Sequence, residues 1–225
     1  MHFRRYFLIL FFINLFSIPV HSKSLNIGIR NDAYDPLMLK AAEYVKKAAQ
    51  IINYDISYIH LPAKRSLMLA ANGILDGEFY RHRLIEALNP SLVRVDVPLG
   101  QFDYYIWVLE GQECVRDVQA LKQMKPVGVR GVIFFDTLVY PLSDVSHAEV
   151  NTMPQVLQIL NRRRADYTVH NHMVMHRYAQ LSGIHIKRCL DEPLFSMPFY
   201  LYLHESKRDL IPSLEQAMSV QKTQP

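Results

Sequence analysis

Hydrophobic residues in this chain change their period repeatedly, and that alternation constrains the fold more than any other feature. Residues 25–29 read as a strand, and Asp35-Pro36 then opens a helix with Leu39, Ala42, Val45, Ala49 and Ile52 at helical spacing. Residues 54–61 alternate as a second strand, Pro62 opens a second helix that stops at Asn72-Gly73, and residues 74–80 give a third strand. Past a helical stretch at 82–88, residues 92–99 and 104–109 are extended and apolar. A second series follows: strands at 127–129, 145–150, 165–169 and 184–190 and helices at 133–139, 153–160 and 172–181. A strand over 199–203 and a helix over 210–220 close the chain. The pattern is α/β, and its interruption near 98–105 and 193–198 suggests two lobes.

Residues 1–22 do not fit that pattern. Arg4 and Arg5 precede an apolar run from 6 to 15, Pro19 breaks it, and Val20-His21-Ser22 offers a cleavage site. This is the three-part pattern of a secretory signal peptide, with cleavage expected near Ser22. The apolar run is shorter than the ~20 residues that span a bilayer. Removing the segment takes the basic residues from 25 to 23 against 21 acidic ones, so the net charge falls from +4 to +2. The one dense basic run, Arg162-Arg163-Arg164, lacks interleaved aromatics, so no nucleic-acid partner is expected. Cys114 and Cys189 are too few for a disulfide scaffold and lack metal-binding spacing, although export would permit them to bridge.

Three segments then carry a resemblance. Leu61-Pro62-Ala63-Lys64-Arg65-Ser66-Leu67, followed by Asn72-Gly73-Ile74-Leu75-Asp76-Gly77-Glu78-Phe79, looks like a P-x-x-R … G-x-x-D-G stretch. Pro126-Val127-Gly128-Val129-Arg130-Gly131 looks like a strand opening a second lobe. Gln155-x-x-Gln158-x-Leu160, before Arg164-Ala165-Asp166-Tyr167, completes the order. Together they resemble the type II periplasmic solute-binding proteins of the amino-acid ABC-transporter class. The resemblance implies a two-lobed, Venus-flytrap α/β fold with two hinge strands: lobe one at 23–101 plus 193–225, lobe two at 102–192. It implies a monomer in the periplasm that captures a small polar or anionic, amino-acid-like solute for an ABC permease or a membrane sensor. No cofactor and no catalysis are implied. Where that class carries a Ser/Thr-rich stretch ending in Thr-x-x-Arg, this chain reads Glu78-Phe79-Tyr80-Arg81-His82-Arg83.

Candidate ligand-binding residues follow from placement and charge. Arg130 precedes Gly131 where a strand turns towards a helix, so its fork and nearby N–H groups suit a carboxylate; its alternative is a surface cation. Arg65 starts a helix at a strand's C-terminal edge, where α/β clefts bind ligands, or it partners Asp76. Glu78 suits a ligand ammonium and Arg81 a ligand carboxylate, unless the two pair with each other. Asp166 suits an amino group, or it partners Arg164 or a turn. Tyr34 leads the candidate aromatic walls, with Phe79, Tyr80, Phe102, Tyr104 and Trp107 behind it.

Two other readings compete. The same fold supports cyclohexadienyl dehydratases, in which a cleft carboxylate is the general acid; Glu78 would take that role here. His170, His172 and His176 place an i, i+4 pair on one helix face with Met173 and Met175 interleaved, a donor set suited to copper or zinc.

Overall fold

The computed structural model describes residues 23–30 and 36–222. The expected signal segment and Tyr34 lie outside the described residues. Among the described residues, ten strands and five α-helices follow one another in the β/α alternation expected.

The first half of the chain builds a parallel layer. Strand β1 (Lys23–Arg30) pairs along its whole length with β2 (Tyr54–Leu61) and, at Ile27 and Gly28, with β3 (Gly77–Arg81). As a central strand β1 buries Leu25, Ile27 and Ile29 on one face and Gly28 on the other. Helix α1 (Pro36–Ile51) packs through Met38, Ala41, Ala42, Val45, Ala48 and Ala49. Its apolar stripe starts at Met38 rather than Leu39, which is 62% exposed. Helix α2 (Ala63–Ala71) buries Ser66, Leu67 and Ala70. Strand β3 begins three residues later than the pattern suggests. The N–H groups of Ile74 and Leu75 both return to the Leu69 carbonyl to close the helix end, and Gly73 takes φ +70°.

Two long strands join the halves. The first half of β5 (Gly100–Leu109) pairs antiparallel with the first half of β10 (Phe195–His204), from Gly100–Phe199 to Tyr104–Phe195. Beyond that crossing, β10 continues along β3 and the short β4 (Leu92–Arg94). Strand β5 instead continues along β8 (Thr168–Asn171) and β9 (Ile186–Cys189). Each half therefore owns one end of each strand, and the sheet order β2-β1-β3-β10-β5-β8 runs through both.

The second half adds a parallel pair, β6 (Val127–Val129) and β7 (Ala148–Val150). Helix α3 (Met153–Asn161) opens with a capping box between Thr152 and Gln155. Helix α4 (His172–Ser182) is capped by Asn171 and closed by Gly183 in the left-handed region. Strand β8 starts later than the sequence suggests, because Asp166 turns back: its N–H bonds the Lys125 carbonyl, and its Oδ2 accepts from the Lys125 N–H at 2.6 Å. The stretch expected as a helix near 133–139 ends in a π-helical turn at Phe135–Val139. Cys114 and Cys189 are joined, with Cα atoms 5.2 Å apart, tying the loop after β5 to the end of β9. Among the described residues no helix is long and apolar enough to cross a membrane.

Candidate functional site

The cleft between the halves has about 910 Å3 of empty space, counting what opens to solvent. One side is the C-terminal ends of β1 and β3, with Arg30, Tyr80, Arg81 and His82. The other is the 132–135 turn with Met153, His170, Asn171 and Val174, and the floor is Phe102, Tyr104 and Phe199 on the crossing strands. Strand ends of this kind are where open α/β sheets receive ligands.

Arg81 is held from behind. Glu78 is fully buried; its Oε1 accepts from Arg81 Nε at 2.7 Å and from Arg81 Nη2, and its Oε2 accepts from Ser66 Oγ at 2.6 Å. Arg81 Nη2 also donates to the Ala63 carbonyl at 2.8 Å. A buried carboxylate with both oxygens engaged fixes the guanidinium in place. Gly28 makes room for this cluster, since a Cβ there would collide with Ser66 Oγ and Glu78 Oε2.

Residues three apart in an extended strand face opposite ways, yet Glu78 and Arg81 meet. Tyr80 explains it: its φ is +66°, a left-handed conformation that a bulky side chain adopts at a cost of about 1–3 kcal/mol. The strand reverses its alternation there, opposite an irregularity in β10 between Tyr200 and Tyr202. The same reversal brings Tyr80 beside Phe79, stacked at 5.5 Å, and lays it on Phe199 at 4.3 Å, nearly parallel.

His82 occupies the crossing. Its Nε2 lies 2.8 Å from the Tyr104 hydroxyl on β5 and its Nδ1 3.4 Å from the Pro198 carbonyl on β10. A carbonyl only accepts, so the neutral ring carries its proton on Nδ1 and Nε2 accepts from Tyr104. The ring packs on Phe199 at 4.0 Å. Burial holds its pKa down at about 3; Arg30, Arg81 and His170 push the same way, and the bond to Pro198 opposes them.

Of the residues expected from sequence, Arg81 lines the cleft and Glu78 stands behind it as its partner. Arg130, Arg65 and Asp166 are not brought to them. Arg130 is exposed and pairs with Glu149 at 3.3 Å. Arg65 is exposed on α2, and Asp166 fastens the turn at Lys125. Phe79, Tyr80, Phe102 and Tyr104 do line the cleft. Trp107 is core: its Nε1 donates to the His170 carbonyl at 2.9 Å. The three histidines do not converge on one point. His170 lines the cleft, whereas His172 and His176 sit together, ring centroids 4.1 Å apart, beside Trp107. Among the described residues no group of three metal ligands forms. His82, Phe134, Phe199 and Asn171 went unmarked in the sequence; the Arg81-His82 pair at a strand end was the one available signal.

The two halves, the crossing strands and the cleft between them define the two-lobed fold of type II solute-binding proteins. Solved structures similar to this chain bear that out. An ancestral arginine-binding protein bound to arginine has TM-score 0.71 at 14% identity, over 91% of this chain and 95% of its own. The GluR0 ligand-binding core in complex with L-glutamate has TM-score 0.71 at 14% identity, over 89% and 92%. A putative L-cystine ABC transporter protein from Listeria monocytogenes has TM-score 0.67 at 13% identity, over 88% and 89%. Neither a protein-family model nor a curated protein matches the sequence.

Proposed function

We propose that this chain is a periplasmic solute-binding protein that closes two lobes around a small anionic or polar solute and presents it to an ABC permease or a membrane sensor. Lobe one comprises 23–101 and 193–225, lobe two 102–192, and residues 1–22 are removed on export. The observation that carries the proposal is the cleft itself. Both halves line it, and a guanidinium locked by a buried carboxylate stands at its edge. Closure about hinge strands is the ligand response such an arrangement permits. The similarity to arginine-, glutamate- and cystine-related binding proteins supports a solute as the partner.

Glu78 supports binding over catalysis. A general acid has to reach the reacting group, and this carboxylate is fully buried with Arg81 and Ser66 on its two oxygens.

A thermal-shift screen tests the proposal with amino acids, dicarboxylates, aryl carboxylates, polyamines, sugars and metal salts. Binding to the folded form alone adds about 2.7 kcal/mol at a hundredfold excess over Kd. An organic solute that stabilises the protein and is recovered unaltered supports it. A solute consumed on incubation, or a response to metal salts alone, would sink it.

A further inference from the structure

We infer that the solute is a carboxylate with a flat apolar body, such as an arylalkanoate, rather than a small zwitterionic amino acid. The inference rests on the solute-binding reading and names the ligand class of the same cleft.

Three observations carry it. The first is the wall. Tyr80 and Phe199 are stacked at 4.3 Å, with Phe102 edge-on to Phe199 at 4.6 Å. Across the cleft, Phe134 lies against Tyr104 at 4.4 Å. Offset and edge-on rings around a slot are the surroundings that a planar apolar group packs into best. The second is the φ of +66° at Tyr80. A strained backbone at a cleft persists where it places a side chain for a purpose, and here it puts a second aromatic ring on the cleft side of β3.

The third is charge. Among the described residues that line the cleft, the charged ones are Arg30 and Arg81, and none is acidic. The carboxylate just behind them, Glu78, has both oxygens engaged. His82 is neutral, with its Nε2 turned to Tyr104. A buried ammonium needs a carboxylate or several carbonyls around it, whereas a ligand carboxylate meets guanidinium donors. Aromatic faces also attract cations, but among the described lining residues no carboxylate is there to hold one.

The test is calorimetric titration of the purified protein at neutral pH with probes that share one body. These are hydrocinnamate (carboxylate only), L-phenylalanine (both charges) and phenethylamine (ammonium only), with propionate and L-glutamate as controls for the body. The expected result is hydrocinnamate binding at least about tenfold more tightly than each of the others. Phe134→Leu should weaken hydrocinnamate by about tenfold and leave propionate unchanged. L-phenylalanine, L-glutamate or phenethylamine matching or exceeding hydrocinnamate would overturn the inference. Hydrocinnamate failing while another solute of the wider screen binds would overturn it and leave the solute-binding reading intact. Silence from every solute in both experiments would remove both.

Discussion

Acidification should destabilise this protein through His82. The ring has an ordinary pKa near 6.5 but is held at about 3 in the folded state. Between those values the unfolded chain binds the proton and the folded chain does not. Stability therefore rises with pH across that window and is lost as pH falls below about 6.5. Each pH unit inside the window is worth about 1.4 kcal/mol, so moving from about pH 7 to about pH 5 removes about 2 kcal/mol, a loss that levels off near pH 3. His82→Gln keeps a neutral polar group at the crossing and cannot take the proton. Urea unfolding of both proteins at the two pH values isolates the effect, because every other titrating group contributes to both. Wild type should lose about 2 kcal/mol more than the variant. Parallel losses would refute the reasoning, since the crossing would then admit enough water to solvate the imidazolium.

Three further expectations concern the groups around the cleft and the covalent link. Glu78→Ala strands a buried guanidinium and should cost about 3–5 kcal/mol in urea unfolding, with Glu78→Gln costing less; equal costs would argue against a charged pair. Arg130→Ala removes an exposed partner of Glu149 (63% side-chain exposure) and should change stability and solute affinity by less than about 1 kcal/mol. A larger loss of affinity in calorimetry would return Arg130 to the site. The Cys114–Cys189 bridge spans 75 residues, so reduction should lower stability by about 4 kcal/mol by loop-closure entropy; an unchanged urea midpoint under reductant would contradict that.

The architecture was legible because it is written in periods. Residues 54–58 alternate strictly within the segment that forms β2 (54–61), and the apolar positions of α1 lie on one stripe to within a residue. Boundaries slipped where hydrogen bonding rather than hydrophobicity decides them, as at the Leu69 carbonyl and the Asp166 turn. The site was harder to read for a related reason. Glu78 and Arg81 are three apart, which in a regular strand separates them, and the left-handed Tyr80 that reunites them leaves no mark in a side-chain pattern. Phe134 and Phe199 are apolar and so resemble core residues; the crossing of β5 and β10 turns Phe199 towards the cleft, and the 132–135 turn brings Phe134 there. Arg130 drew attention through a neighbouring glycine, but charge type and turn position do not fix which way a long side chain points.

The order in which the strands are made has a consequence for how the molecule comes together. Strand β3 gains its antiparallel neighbour β10 only near the end of the chain, where Tyr200 settles opposite Arg81. Tyr44 on α1 likewise donates to the Met218 carbonyl on α5 (Ile211–Lys222), 174 positions away. During synthesis the β1–β2–β3 layer emerges first, with its β3 edge still unpaired, and waits while everything through β9 is added. Contacts so distant in sequence slow folding, and an open edge in the interval invites foreign strands. A holding chaperone would therefore find a window on the β3 edge, and that window closes when the final strand docks.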